Sequence, residues 1–177
     1  TGTGKTMAFG IPIIERIDPD SEDVQAVILA PTRELAMQIT DEMRQIAVCH
    51  EGVRLVCLYG GQPIAKQINA LKRRPQIVVA TPGRLSDHMK RRTVRVDTAQ
   101  TVVLDEADRM LDMGFIHDVT RILDKIPHRR NLGMFSATIS REVMDISWVY
   151  QRDPEEITVQ ATRENKPDIL QYRIEVP

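Results

Sequence analysis

Cysteine is scarce in this chain, which has two cysteines in 177 residues and therefore no basis for a disulfide framework. Cys49 and Cys57 lack the spacing of metal ligands, so structural zinc is not expected. The sequence contains no apolar run of about 18 residues, which argues against a transmembrane helix. These shortages predict a soluble protein of a reducing compartment, the cytoplasm or else the nucleus, with no membrane partner. The histidines, which are scattered, are His50, His88, His117 and His128.

The chain also lacks an excess of charge of either sign. Its 24 basic and 25 acidic residues give a net charge of -1. Overall electrostatics therefore supply no argument for a nucleic-acid partner, and any such contact must depend on local groups. The length suits one domain with a single core.

Short apolar runs alternate with stretches of helical periodicity along the chain. This alternation is typical of a parallel sheet with helices on its faces. We therefore predict an α/β fold with three layers, in which a mostly parallel central sheet lies between helices. Five strands are predicted at 26–30, 55–59, 76–80, 101–104 and 132–135, with a shorter sixth strand around 157–159.

Apolar residues at helical spacing predict the helices between these strands. The first helix, at 5–17, contains Pro12, which should kink it or start a new turn. Thr32 is placed to cap the next helix, because its hydroxyl can accept from an amide of the first turn. The predicted core stripes are Leu35, Ile39, Met43 and Ile46; Ile64, Ile68 and Leu71; Phe115, Val119, Ile122, Leu123 and Ile126; and Val143, Met144, Ser147 and Tyr150.

The opening residues 1–6 match the end of a phosphate loop of the form G-x-x-x-x-G-K-S/T. Glycines let successive amides face one anion, Lys5 would reach the β and γ phosphates, and Thr6 would bind magnesium. A flexible linker is the alternative for these residues alone. The full pattern extends upstream, so we expect a fragment that lacks the strand feeding the loop. The predicted nucleotide-binding residues here are Thr1, Gly2, Thr3, Gly4, Lys5 and Thr6.

Acidic residues follow the predicted strand at 101–104. Asp105 lies at the carboxyl end of this strand, where open α/β sheets bind ligands, so we predict that it binds the metal. Glu106 is predicted to orient the attacking water or accept its proton. A solvated turn is the alternative for an isolated acidic tetrad. The phosphate loop upstream favours the nucleotide site.

Two hydroxyl residues follow the last predicted strand. Ser136 and Thr138 should emerge at the same sheet edge as Asp105, where they could bond to Asp108. Asp108 is in turn predicted to belong to the nucleotide site. A helix N-cap explains a serine or threonine after a strand equally well. The residues alone do not decide between these two hypotheses.

These strings resemble, in order and spacing, the DEAD-box ATP-dependent RNA helicases of superfamily 2. The resemblance covers residues 1–6, 31–36, 60–61, 81–84, 105–108 and 136–138. It implies a RecA-like P-loop NTPase domain that binds ATP, Mg²⁺ and single-stranded RNA as a monomer, with Lys5, Asp105, Glu106, Ser136 and Thr138 serving catalysis. The residues that it places along the RNA path are Pro31, Thr32, Arg33, Gly60, Gly61, Thr81, Gly83 and Arg84.

The resemblance also implies a second RecA-like domain that completes the site. We predict that residues 1–160 form the ATP-binding domain and that 161–177 form a linker and the first strand of the second domain. The arginine finger of that domain and the upstream segment that reads adenine lie outside the chain, so the fragment alone should hydrolyse ATP negligibly. A superfamily 2 DNA helicase and an ATP-dependent RNA clamp with little turnover are the alternatives.

Overall fold

Five short parallel strands form the central sheet in residues 4–159, the part of the chain that the computed structural model describes. Their order across the sheet is β2-β3-β1-β4-β5. The five predicted strands are confirmed within one or two residues at each end, and the predictions for 1–3 and 160–177 lie outside the described residues. The strands are β1 (Ala26–Leu29), β2 (Leu55–Leu58), β3 (Ile77–Ala80), β4 (Thr101–Leu104) and β5 (Asn131–Met134).

The sixth predicted strand, at 157–159, is wrong. Ile157 and Val159 are 80% and 88% exposed, and residues 151–159 join no sheet. Three residues that alternate in polarity do not form a strand when no neighbouring strand is present to accept their backbone hydrogen bonds.

Seven α-helices connect or follow these strands in the described residues. The first helix is continuous through Pro12, so the predicted new turn is wrong. The cap of the second is confirmed, because Thr32 Oγ1 accepts from the Leu35 amide at 3.2 Å. No helix within 4–159 is long and apolar enough to cross a membrane. The helices are α1 (Lys5–Glu15), α2 (Arg33–Ile46), α3 (Ile64–Leu71), α4 (Pro82–Lys90), α5 (Ala107–Asp112), α6 (Ile116–Asp124) and α7 (Arg141–Tyr150).

Alternate strand residues point to opposite faces of the sheet, and each face has its own apolar core. Ile28 and Ala26 in β1 pack with buried residues of α1 and α2. Leu29 and Val27 pack instead with buried residues from α3 to α7. The three-layer α/β prediction is therefore confirmed. Among the predicted stripe residues, Met144 in α7 is exposed, and Ile64 and Ile68 in α3 are half-buried and belong to neither core.

Gly10 lets α1 and α2 pack closely, which places the start of α1 at the sheet. A Cβ atom at Gly10 would lie 2.7 Å from Met43 Sδ and 2.8 Å from Ile46 Cδ1. We expect Gly10→Leu to lower the free energy of unfolding by about 2 kcal/mol, because overpacking displaces these side chains. Urea denaturation measures the change. Ala8→Leu, at an exposed position of the same helix, should change it by less than about 0.5 kcal/mol, and an equal loss in both variants would contradict the packing role.

Candidate functional site

The predicted site residues within the described chain follow the carboxyl ends of the strands or begin α1. Because all five strands are parallel, these ends share one edge of the sheet. Asp105 follows β4, Ser136 comes after β5, and Pro31 comes after β1. The glycine pair at 60–61 and Thr81 follow β2 and β3. One edge therefore carries both the acidic residues and the predicted RNA path.

Lys5 and Asp105 meet at this edge. Lys5 Nζ lies 3.8 Å from Asp105 Oδ1, and the side chain of Asp105 is only 5% exposed. Burial raises the pKa of Asp105, and the charge of Lys5 opposes that rise. A buried carboxylate needs a compensating cation, and Lys5 supplies it here. The predicted convergence of the loop lysine and the strand-end acid is therefore confirmed as geometry.

The start of α1 is described from Gly4 onwards. Gly4 precedes the helix with φ 71°, a left-handed conformation that favours glycine. Thr6 is buried, and its hydroxyl interacts with the carboxylate of Glu42 on α2 and lowers the pKa of Glu42. Thr6 forms no hydrogen bond with Asp105 among the described residues. The remaining predicted loop residues, Thr1, Gly2 and Thr3, lie outside the described part.

The donors at this edge fit magnesium held together with a nucleotide. Residues 4–159 contain no group of three His, Cys, Asp or Glu side chains that could hold a metal by themselves. Mg²⁺ is commonly bound through one or two protein oxygens, with phosphates and water completing its octahedron. Asp105, with Thr6 at the first turn of α1, supplies oxygen donors of that kind.

Glu106 adopts an unusual backbone conformation. Its φ and ψ of 49° and 52° are left-handed, which costs a non-glycine residue about 1 kcal/mol or more. Its amide donates to Asp105 Oδ1 at 3.0 Å, and its Oε2 accepts from Arg109 Nη1 at 3.1 Å. The two adjacent acids therefore have different partners, Lys5 for Asp105 and Arg109 for Glu106. Strain of this kind is often retained where a side chain must be placed for function.

Asp108 joins the ends of β4 and β5 through hydrogen bonds. Thr138 donates to Asp108 Oδ2 from its hydroxyl at 2.8 Å and from its amide at 2.9 Å. The Asp108 amide donates to Ser136 Oγ at 3.2 Å. Partial burial acts to raise the pKa of Asp108, but the hydrogen bonds, that from Thr138 first, outweigh it and lower the pKa. The predicted contact is confirmed, and Ser140 rather than Ser136 or Thr138 caps α7.

Arg33 and the glycine pair lie together on the other half of the edge. The guanidinium of Arg33 stacks over the Tyr59 ring, 6.0 Å from its centroid. Gly61 has a φ of 85°, and a Cβ there would lie 3.6 Å from Arg33 Nη1. Pro31 is buried, and the Thr32 hydroxyl is occupied by its capping bond. Of Pro31, Thr32 and Arg33, it is therefore Arg33 that has a charged group exposed to a ligand.

Arg84 links the start of α4 to the turn after β2. Its Nη1 donates to the carbonyl of Gln62 at 3.0 Å, directly after the glycine pair. Thr81 precedes α4, is nearly buried and makes no capping bond with its side chain. Gly83 is half-buried in the first turn of the helix. The predicted RNA residues of β2 and β3 therefore form one connected surface.

Sequence reasoning missed three residues that support this surface. The Tyr59 ring packs against the Arg33 guanidinium. Gln67 and His88 are buried and hydrogen-bonded beneath Arg84. Gln67 could have been noticed, because it lies on the apolar side of α3, three residues from Ile64 and four from Leu71. A buried polar residue on such a stripe requires a specific partner.

The site residues form two groups on adjacent strands. The nucleotide cluster lies at α1, β4 and β5, and the RNA cluster lies at β1, β2 and β3. The two groups meet where β1 and β4 pair, and the Asp105 amide donates to the Leu29 carbonyl at 2.9 Å. The nucleotide cluster comprises the described residues that were predicted to bind or act on the nucleotide, namely Gly4, Lys5, Thr6, Asp105, Glu106, Asp108, Ser136 and Thr138. The RNA cluster comprises Pro31, Thr32, Arg33, Gly60, Gly61, Thr81, Gly83 and Arg84.

Known proteins share both the sequence and the fold. DEAD-box ATP-dependent RNA helicase CshA of Bacillus licheniformis is 48% identical over 99% of this chain, which spans 36% of that relative. CshA of Bacillus subtilis is 46% identical over the same share, and the chain spans 35% of it. The chain thus spans about a third of the length of the curated relatives it matches.

Solved structures agree. A DEAD box protein from the hyperthermophile Methanococcus jannaschii superposes with a TM-score of 0.80 at 43% identity, covering 86% of this chain and 41% of that one. A hypothetical ATP-dependent RNA helicase from Sulfolobus tokodaii gives 0.79 at 37% identity, covering 88% of this chain and 44% of that one. The sequence profile of the DEAD/DEAH box helicases matches residues 1–146. The chain therefore belongs to the DEAD/DEAH box helicase family.

Proposed function

We propose that the full-length protein containing this chain is an ATP-dependent RNA helicase. RNA stimulates its ATP hydrolysis, which is coupled to local unwinding or remodelling of short RNA duplexes. The observation that carries the proposal is the 3.8 Å approach of Lys5 Nζ to Asp105 Oδ1 at the start of α1. The relatives in Bacillus bear the name ATP-dependent RNA helicase, which supports it. The second RecA-like domain predicted above would complete the site within a monomer.

Each group in the nucleotide cluster has a distinct task in hydrolysis. Lys5 and the amides at the start of α1 bind the β and γ phosphates, because both carry positive charge or partial charge. Thr6 and Asp105 would hold Mg²⁺, which neutralises phosphate charge when it is bound. Glu106 orients the attacking water and accepts its proton. Its carboxylate pairs with Arg109, whereas that of Asp105 pairs with Lys5.

Asp108 transmits changes at the nucleotide to β5. Its carboxylate is held by Thr138, and its amide by Ser136, so a shift at the end of β4 changes three hydrogen bonds after β5. Such a small set of bonds between two strand ends can couple hydrolysis to movement of the segment that follows. Ser136 and Thr138 thus couple the ATPase to unwinding and do not touch the reacting phosphate.

The RNA cluster binds the sugar-phosphate backbone. The amides of Gly83 and Arg84 in the first turn of α4 would bind a phosphate, and the guanidinium groups of Arg33 and Arg84 would add charged donors. Contacts of this kind position a strand without reading bases, so little sequence preference is expected. Discrimination of RNA from DNA must then use the 2′-hydroxyl group.

Stimulation of ATP hydrolysis tests the proposal. In the full-length protein, single-stranded RNA should raise the ATPase rate at least about tenfold more than DNA of equal length and composition, because only RNA has the 2′-hydroxyl. Phosphate release measures the rate. Equal stimulation by DNA would indicate a DNA helicase instead. A long-lived RNA complex with ATP and negligible turnover would indicate a clamp.

A further inference from the structure

A buried polar network beneath the RNA cluster takes no part in the mechanism above. Gln67 on α3 is 1% exposed, and His88 on α4 is fully buried. Burying amide and imidazole groups costs free energy unless their hydrogen bonds are made inside the protein. These two side chains bond to each other, because His88 Nε2 lies 2.9 Å from Gln67 Oε1. This hydrogen bond fixes the two side chains relative to each other.

Gln67 is the junction of this network. Its Nε2 donates to the carbonyl of Tyr59 at 2.9 Å, at the end of β2. Its Oε1 accepts from His88 and also from Arg84 Nη1 at 3.3 Å. The Gln67 side-chain amide is thus hydrogen-bonded to the end of β2, to buried His88 of α4 and to Arg84 of the RNA cluster.

The tautomer of His88 follows from its partners. Gln67 Oε1 can only accept, so His88 Nε2 must carry a proton. Burial lowers the pKa of His88, Arg84 lowers it further, Asp87 raises it and Arg91 lowers it, so the neutral ring dominates at neutral pH. Thr93 Oγ1 lies 2.8 Å from Nδ1 of the neutral ring and 3.1 Å from the His88 carbonyl oxygen, so its one proton is shared between these two acceptors.

The Tyr59 carbonyl fixes which end of the Gln67 amide faces Arg84, because it needs the amide NH₂ as its donor. A flipped amide would set its oxygen against this carbonyl and its NH₂ group against the His88 Nε2–H and the guanidinium, so three donors would meet without an acceptor. The His88 Nε2–H therefore reinforces the orientation in which the Gln67 oxygen faces Arg84. The network selects one orientation for both groups.

Arg84 is left with neutral acceptors and no carboxylate. Its Nη1 bonds to the Gln62 carbonyl and to Gln67. Within residues 4–159, no acid forms an ion pair with Arg84, and Asp87 on the same helix pairs with Arg91 at 2.8 Å. Neutral partners hold the guanidinium in place. Arg91 first, and Arg84 with it, lower the pKa of nearby Asp87, but Arg84 donates no hydrogen bond to a carboxylate in the described residues.

We propose that Gln67 and His88 are positioning residues for RNA binding, which hold Arg84 against the 60–62 turn with its charge available to a backbone phosphate. The proposal rests on the RNA-binding function proposed above. It makes the neutral amide essential, because a carboxylate of the same shape would pair with Arg84 and compensate its charge. It also requires the Nε2–H donor, because this donor reinforces the orientation of the amide.

Gln67→Glu tests the first requirement in the full-length protein. We expect RNA affinity in the presence of a non-hydrolysable ATP analogue to fall about tenfold or more, the scale of one charge-assisted hydrogen bond. ATP affinity should be unchanged. Gln45→Glu, at an exposed position of α2, adds the same charge and should have little effect. Fluorescence anisotropy of a labelled RNA measures the affinity.

A double-mutant cycle separates positioning from general damage. If Gln67 acts through Arg84, then Gln67→Glu should cause no further loss of RNA affinity in an Arg84→Ala background. Additive losses would overturn the proposal. Failure of the unmodified protein to bind RNA would instead remove the proposed function itself, so the two failures are distinguishable.

His88 variants test the second requirement if Gln67→Glu folds poorly. His88→Leu removes the donor and should weaken RNA binding, while His88→Gln restores an N–H donor and should recover most of it. Nitrogen NMR of the unmodified protein should show His88 as the Nε2–H tautomer without any RNA. The Nδ1–H tautomer, or equal RNA affinity for both His88 variants, would contradict the proposal.

Discussion

Glu106→Gln in the full-length protein is expected to reduce ATP turnover by at least about a hundredfold while ATP binding is retained. Removal of a general base costs about 10² to 10⁴ in rate. Glutamine has the shape of glutamate, and its side-chain oxygen can still accept from Arg109 Nη1. In the unmodified protein Arg109 Nη1 donates to Glu106 Oε2 at 3.1 Å. It cannot take a proton from water. Single-turnover hydrolysis with ATP in excess of its Kd measures the chemical step.

The control for this change is Glu51→Gln, which removes the same charge from an exposed turn. It should leave turnover and nucleotide affinity unchanged. Normal hydrolysis by Glu106→Gln would end the role assigned to Glu106. Loss of ATP binding together with turnover would show that the carboxylate holds the nucleotide instead of acting on water.

Lys5→Ala is expected to weaken ATP binding about ten- to hundredfold, because the charge-assisted contact to the phosphates is lost. The change also removes the cation that faces the buried Asp105 carboxylate at 3.8 Å. The pKa of Asp105, already raised by burial, should rise further without Lys5. Isothermal titration calorimetry of the full-length protein with an ATP analogue and Mg²⁺ measures the affinity.

Lys125→Ala is the matched control, since Lys125 is exposed directly after α6 and belongs to neither cluster. It should bind the analogue as the unmodified protein does. If Lys5→Ala also kept normal affinity, the contact with Asp105 would be only a structural ion pair. The nucleotide site would then need a different cation.

Much of the fold could be predicted because buried parallel strands are apolar on both faces. The run Val27, Ile28 and Leu29 has no polar residue, so it fits only a strand covered on both sides. Parallel strands place their carboxyl ends on one edge, which is why Asp105 and Ser136 could be assigned to one site from the sequence. The approach of Lys5 followed instead from the phosphate-loop pattern of residues 1–6.

Other features depend on side-chain contacts that periodicity does not encode. The left-handed backbone of Glu106 is held by surrounding bonds, and a glutamate gives no local signal for it. The interaction of Thr6 with Glu42 depends on the packing of α1 against α2. The bonds of Gln67 and His88 join residues 21 positions apart. Met144 has an apolar side chain at a core spacing but remains exposed.

The pairing of β1 with β4 places the last residue of each strand side by side, with Leu29 opposite Leu104. The chain leaves β1 towards Arg33 and leaves β4 through Asp105. Adjacent strands lie about 4.8 Å apart, so the segments that we propose to bind the triphosphate and the RNA leave the sheet from neighbouring strands. A nucleotide and an RNA strand bound at these two segments would therefore affect each other without a long path through the protein interior. A small shift of β1 along β4 would displace both segments.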